Sequence, residues 1–285
     1  MRHSELQMRD RENIHTYETG SGEPVIFLHG WSAAHDLTKP LLKLIGVKYH
    51  AIAWDARGHG HHAYHQTTPP TIDHLVDDLK ELIDTIGSDQ VRLVGHSMGG
   101  AIIWAYLRKY GNDRVKQTVI IDMTPKLTTD ESWQLGVYFD FPPERQQWFL
   151  SEMQSDMVEA VLRLRAYGRN TQTRAQYETN DPALAPYRQF LRGLDANALI
   201  SIWQDLLTYD FRNFLSTLAI PTLLIYGGAS QFYGKPLADW MLKTLPNAEL
   251  MFFPDGDHGP HIQYPQEAAT RMLHFFAEEP QEVKK

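Results

Sequence analysis

Six short apolar runs constrain the fold more than anything else in this chain. They are "PVIFLHG" (24–30), "HAIAWDARG" (50–58), "VRLVGHS" (91–97), "QTVIIDMT" (117–124), "PTLLIYG" (221–227) and "AELMFFPDG" (248–256). Each ends in glycine or turn residues. A strand with one wet face alternates apolar and polar residues; these runs are near-continuously apolar, as strands covered on both faces are in a parallel sheet. Helical patterns lie between them. "TIDHLVDDLKELIDTIG" sets Ile72, Leu75, Leu79, Leu82 and Ile83 on one face and stops at Gly87, and "MGGAIIWAYLRKYG" stops at Gly111. Strands alternating with helices predict a doubly wound, mostly parallel α/β sheet. The rhythm breaks once. From Pro125 to Arg212 only helical patterns rich in aromatics, Leu and Arg appear, and a stretch of about 85 residues is too long for a loop in a compact domain. It reads as a helical cap inserted between two strands, which divides the chain into a first core part (1–125), a cap (126–212) and a second core part (213–285).

Composition removes several function classes. A net charge of −8 argues against nucleic acid as a partner. There is no cysteine, which excludes disulfides, thiolate metal sites and a cysteine nucleophile. "MRHSELQMRDREN" lacks the apolar centre of a signal peptide, and no apolar run approaches the roughly 20 residues that span a bilayer. The expectation is a cytoplasmic protein without a membrane span. "EEPQEVKK" at the C-terminus reads as a frayed, solvated tail.

The chemistry centres on "GHSMGG". Gly95-His96-Ser97-Met98-Gly99 fits G-x-S-x-G, with a strand before it and a helix directly after, the context a nucleophile elbow requires. The glycines are needed because a sharp strand-to-helix turn brings backbones too close for a Cβ. Ser97 is thereby presented at a helix N-terminus above the sheet edge, although a serine in such a turn also serves as a plain helix cap.

With this motif the chain resembles the α/β-hydrolase superfamily from about Ile14 to its C-terminus. "FLHGW" (27–31) looks like the family's oxyanion loop, so the resemblance implies that the backbone N–H groups of Trp31 and Met98 hold the oxyanion of a tetrahedral intermediate. "WDARGHG" (54–60) resembles the family's D-x-R-G-x-G turn, and Asp55 with Arg57 reads as a buried pair that fixes a loop. "DGDHGPHIQYP" (255–265) resembles its closing histidine motif; His258 takes the position of the general base and His261 packs or caps the next helix. Ser97 before His258 is also the family's chain order.

One departure stands out. Much of the family places a catalytic acid after the strand read here as "PTLLIYG", yet "YGGASQFYG" (226–234) has no carboxylate, and the equivalent position is Ser230. Asp122 in "VIIDMTP" ends the preceding strand. Neighbouring parallel strands lie about 4.8 Å apart, so a carboxylate on either can reach one imidazole. Some superfamily members use that strand. Asp255 and Asp257 are alternatives, but sit beside His258 in the same loop; Asp239 falls within a helix.

The remaining features bear on substrate. Trp133, Tyr138, Phe139, Phe141, Trp148, Phe149, Tyr167, Tyr187, Phe190 and Trp203 populate the cap. Most hold its helices to the core, and a few line a channel above Ser97 that favours a partly apolar small molecule. Arg163, Arg165 and Arg169 read as a solvated helix face, with an anionic substrate as the alternative. "GHGHHAYHQ" (58–66) carries His59, His61, His62 and His65. Hydrolase chemistry calls for no metal and no cofactor, so this reads as a polar loop open to adventitious metal binding. The sum predicts a serine hydrolase that cleaves carboxylic esters through an acyl-enzyme. The competing readings are a cofactor-independent dioxygenase of the quinolone type, built on a His/Asp dyad, and a hydrolase-like ligand receptor.

Overall fold

The computed structural model describes residues 1–62 and 64–278; of the C-terminal tail read as "EEPQEVKK", all but Glu278 lies outside the described residues. An eight-stranded sheet organises them: β1 (Arg2–Gln7), β2 (Asn13–Thr19), β3 (Pro24–Leu28), β4 (His50–Asp55), β5 (Val91–His96), β6 (Val115–Ile121), β7 (Thr222–Gly227) and β8 (Ala248–Phe253). The spatial order is β1-β2-β4-β3-β5-β6-β7-β8. β3 to β8 pair in parallel, while β2 runs antiparallel to both β1 and β4. Each of the six apolar runs is a parallel strand, and in β3 and β7 every residue is buried.

β1 and β2 are the strands the sequence pattern does not announce. Their sequences, "RHSELQ" and "NIHTYET", are mostly polar, and β1 is exposed or half-exposed throughout. An antiparallel edge needs only one apolar face, and the edge strand here has hardly that.

Helices flank the sheet: α1 (Lys39–Ile45), α2 (Ile72–Ile86), α3 (Met98–Tyr110), α4 (Pro143–Ser155), α5 (Met157–Ala166), α6 (Thr171–Glu178), α7 (Ala185–Arg192), α8 (Ala196–Leu206), α9 (Arg212–Leu215), α10 (Lys235–Thr244), α11 (Pro260–Gln263) and α12 (Pro265–Ala277). α2 follows its apolar stripe, starts at a Thr71 capping box and stops at Gly87, which has φ of 71°. One sheet face packs under α1 and α12 through residues such as Phe27, Val94 and Met272. The other carries α2, α3 and the helices between β6 and β7. That interval, α4 to α9, holds no strand of the sheet. Its entry and exit are tied together: the Phe211 N–H donates to the Pro125 carbonyl at 2.9 Å. Among the described residues no helix is long and apolar enough to cross a membrane.

Candidate active site

The site forms at the carboxyl ends of β5, β6 and β7, where open α/β sheets bind ligands. β5 ends at His96, α3 starts at Met98, and Ser97 alone makes the turn, with φ of 51°. That backbone is strained for any residue with a Cβ. The turn is possible because its neighbours are glycine: a Cβ on Gly99 would lie 2.2 Å from the Leu28 carbonyl oxygen, and one on Gly95 2.5 Å from the Gly99 backbone.

Asp122 follows the last residue of β6, is fully buried, and also has positive φ, 46°. Its Oδ2 accepts from His258 Nδ1 at 2.7 Å and from Ser230 Oγ at 2.7 Å, while Oδ1 accepts the Gly227 N–H at 3.2 Å. The structure thus brings Asp122, not the other three aspartates, to the imidazole. The Asp257 carboxylate instead accepts the Gly259 N–H within its own loop at 2.7 Å, and Asp239 pairs with Lys235 on α10. Asp255 is exposed.

"YGGASQFYG" therefore has a different use. Ser230 stands where an acid was expected and donates to the acid on the neighbouring strand. Its hydroxyl oxygen also accepts the N–H groups of Phe232 and Tyr233, both at 3.2 Å, which orients the proton toward Asp122. Gln231, fully buried, accepts the His258 backbone N–H through Oε1 at 2.9 Å. His96, the x of the serine motif, donates Nε2–H to the His258 carbonyl at 2.8 Å. Gln231 and His96 hold the histidine loop by its main chain from two sides. Sequence patterns do not flag such roles, because the partners are backbone atoms; position beside a motif was the only signal. His261 packs against His96 with the rings tilted by 55° at a centroid distance of 4.7 Å, and neither ring nitrogen of His261 is hydrogen-bonded among the described residues.

Burial pushes the His258 imidazole well below its ordinary pKa, with the nearby Asp257 charge opposing and Arg165 adding to the fall. A neutral ring at pH 7 is the form that accepts a proton. Burial pushes the Asp122 carboxyl up, against the hydrogen bonds from Ser230 and Gly227 that favour its ionised form.

Ser97 and His258 line one pocket of about 240 Å³, together with Gly30, Trp31 and Met98. Among the described residues the Ser97 hydroxyl makes no hydrogen bond; serine–histidine contacts of this type often tighten only with substrate present. Trp31 is placed from outside the sheet, its indole N–H donating to the Leu199 carbonyl of α8 at 2.9 Å. The helical segment roofs the pocket with Leu127, Val137, Val161, Leu164, Tyr187 and Trp203. Of the other aromatics singled out in sequence, Phe141 and Phe149 are buried beside Trp203, whereas Trp148 and Tyr167 are exposed.

Three sequence readings need correction. Asp55 and Arg57 are both buried but do not pair with each other. Asp55 accepts the backbone N–H and Nδ1–H of His35 at 2.7 and 2.9 Å, while Arg57 bridges Asp78 and Asp10. The three arginines do not share one solvated face. Arg163 pairs with Glu152, Arg169 donates to the Tyr233 carbonyl, and Arg165 reaches the pocket. The four loop histidines do not cluster together. His59 is buried beside His29, His61 pairs with Asp36, His65 approaches Glu12 at 3.6 Å, and His62 turns to the β1–β2 hairpin.

An eight-stranded, mostly parallel sheet with a serine elbow at its carboxyl edge defines an α/β hydrolase, and the α/β hydrolase fold family model matches residues 23–265. The chain belongs to that family and is an enzyme of it. It is 28% identical to a non-heme chloroperoxidase of Kitasatospora aureofaciens over 88% of this chain and 90% of that one. It is 24% identical to a pimeloyl-[acyl-carrier protein] methyl ester esterase of Nitrosomonas europaea over 90% of this chain and 96% of that one. Among solved structures, an esterase from Exiguobacterium antarcticum superposes with a TM-score of 0.82 at 20% identity, covering 96% of this chain and 99% of its own.

Proposed function

We propose that the protein is a serine hydrolase that cleaves carboxylic esters through an acyl-enzyme. The observation that carries this is the hydrogen-bonded Asp122–His258 pair opening onto the same pocket as the unpaired Ser97 hydroxyl. His258 donates Nδ1–H to Asp122, which leaves Nε2 as the base. Ser97 Oγ adds to the ester carbonyl and its proton passes to Nε2. The carbonyl oxygen, now negative, takes the Trp31 and Met98 N–H groups; each such donor lowers the barrier by roughly 3 kcal/mol in comparable sites. Collapse expels the alcohol, which takes the proton from Nε2. Water then repeats the sequence on the acyl-enzyme, with His258 as base and then acid, and releases the carboxylic acid.

Residues 126–212 act as a cap over this site, a reading supported by the joined ends at Pro125 and Phe211 and by the apolar roof. At about 240 Å³ the pocket lies below the roughly 300–1,000 Å³ of common ligand clefts, which favours a short acyl chain or a single ring. The relatives named as esterases support ester hydrolysis as the reaction.

Hydrolysis of p-nitrophenyl esters of graded acyl length, by the native protein and by Ser97→Ala, tests the proposal. Turnover with an optimum at short chains, lost in the variant, is the expected result. One feature favours the dioxygenase reading: the His/Asp contact is made while the serine contact is not. Absence of turnover on every ester, or turnover indifferent to Ser97→Ala, would sink the esterase. Oxygen-dependent ring opening of a quinolone-like substrate that survives the same substitution would establish the alternative.

A further inference from the structure

The β1–β2 hairpin and the histidine loop bring together a group of side chains that the catalytic site does not use. His3 on β1 and His15 on β2 share one face of the antiparallel pair, since His3 sits opposite Tyr17 and His15 opposite Glu5. Their nitrogens, His3 Nε2 and His15 Nδ1, are 3.0 Å apart. His62, from the loop after β4, stacks on His15 with ring centroids 3.2 Å apart. One ligand nitrogen from each of the three lies within 4.8 Å of the others, and among the described residues no other group of histidine and carboxylate side chains meets that spacing.

We infer that His3, His15 and His62 form a binding site for a divalent transition-metal ion of the zinc type. Three imidazoles and no directly clustered carboxylate suit zinc, copper or nickel rather than magnesium or calcium. Nitrogens held about 2.0–2.1 Å from a tetrahedral zinc stand roughly 3.3 Å from one another, so modest side-chain rotation converts the observed spacing into a coordination set. The surroundings suit a cation. The buried Asp55 Oδ2 lies 3.7 Å from His62 Nε2, and the Tyr17 hydroxyl lies 3.1 Å from the same nitrogen. At 3.7 Å the Asp55 carboxylate is a nearby negative charge that favours a cation rather than a hydrogen-bond partner of His62. Asp55 is itself locked by His35. His3 is exposed, so the fourth position opens to water.

The ion would tie the loop that carries His61 to the β1–β2 ladder. The His61 ring packs edge-on against Phe190 of α7 at 5.4 Å, so the staple also steadies the contact between sheet edge and cap. The loop alone does not make this site; it contributes one ligand to a hairpin whose strands the apolar pattern leaves unread.

Calorimetric titration of the metal-free full chain with zinc chloride at pH 7.5 tests the site, alongside thermal unfolding and the visible absorption of cobalt as a geometric probe. The expected result is one saturable site that raises Tm, with tetrahedral cobalt bands. Affinity drops about tenfold or more in both His3→Ala and His62→Ala and is unchanged in His274→Ala, a surface histidine on α12. His3 is exposed on an edge strand, so His3→Ala leaves the fold intact, which circular dichroism verifies. Absence of saturable binding up to about 100 μM zinc, or affinity unchanged in both His3→Ala and His62→Ala, overturns the inference.

Discussion

Asp122 carries more of the candidate chemistry than any other single residue, because three hydrogen bonds converge on it and only one goes to the base. Removing its charge while keeping its shape separates those roles. Asp122→Asn retains an acceptor but invites the wrong imidazole tautomer, and in comparable triads such a change lowers kcat by about 10⁴-fold. We expect a loss of about 10³–10⁴ in kcat/KM for Asp122→Asn. Ser230→Ala deletes one charge-assisted hydrogen bond, worth about 1.5–3 kcal/mol, and loses about ten- to a hundredfold. Asp257→Asn, whose carboxylate serves its own loop, loses less than either. Steady-state kinetics on the best p-nitrophenyl ester decides the order, and an Asp257→Asn loss equal to that of Asp122→Asn would reassign the acid. Ser97 and His258 were legible as motif positions, and Asp122 was legible because the seat at Ser230 lacked a carboxylate and an adjacent strand end offered one. Gln231 and His96 were not, since what they grip is the main chain of His258, and no side-chain pattern records that.

At the level of elements, strand ends place the chemistry and helices set what reaches it. The β5–α3 turn tolerates no added atom: the missing Cβ of Gly99 faces a backbone carbonyl at 2.2 Å, which cannot swing aside as a side chain would. Gly99→Ala is therefore expected to destabilise by more than about 2 kcal/mol, read as a lowered midpoint in urea; a midpoint within error of the native value would show that α3 can shift. On the proposed function, α5 would contribute selectivity. Arg165 lies over the Tyr187 ring, lines the pocket, and has no carboxylate partner among the described residues. A substrate carboxylate at the far end of a short acyl chain would meet it. A monoester of a dicarboxylic acid is expected to show a lower KM than a neutral ester of equal length, and Arg165→Gln to raise that KM about tenfold or more with kcat nearly unchanged. Equal effects on the neutral ester would refute the charge argument. β3 to β7 and α2 were readable because burial on both faces leaves a continuous apolar run and burial along one stripe leaves a helical period. β8, expected to be covered on both faces, is instead an edge strand with no buried residue and shows itself only by its apolar composition. β1 and β2 leave almost no pattern of either kind. The polar residues of β1 face an exposed edge, and β2, held between β1 and β4, buries Ile14, His15 and Thr16 without an apolar alternation, so nothing in the pattern points to His3 and His15 beside His62.

Over the whole molecule, buried imidazoles make stability depend on pH in a definite direction. His29 donates Nδ1–H to the Gly30 carbonyl at 2.8 Å and accepts the Ala56 N–H on Nε2 at 3.1 Å, a pattern only the neutral ring can hold. Burial pushes His29 and His261 down, and takes His59 and His96 to about 3. For each, the unfolded chain binds a proton near pH 6.5 that the folded chain refuses. Stability from these groups is thus complete above about pH 6.5 and is lost as pH falls below it, each contributing a slope of about 1.4 kcal/mol per unit once its unfolded form is protonated. Two buried carboxyls act in the opposite sense. Burial lifts Asp78 to about 6 and Asp122 to about 7, so the folded chain holds protons there that the unfolded chain releases. Burial lowers His15, His62 and His258 in the same way, so seven imidazoles against two carboxyls leave the unfolded state the stronger proton binder between about pH 6 and 5. Carboxylates that ion pairs hold low, such as Asp36 with Lys39, titrate below that window and do not enter it. Tm followed by circular dichroism from pH 7.5 to 5 should fall by several degrees, and a level or rising Tm would contradict the account. His261→Leu isolates one contribution, because that ring forgoes hydrogen bonds at both nitrogens and an apolar side chain abandons nothing by replacing it. The variant is expected to match or exceed native stability at pH 5 and to show a shallower dependence on pH, by about one imidazole's slope.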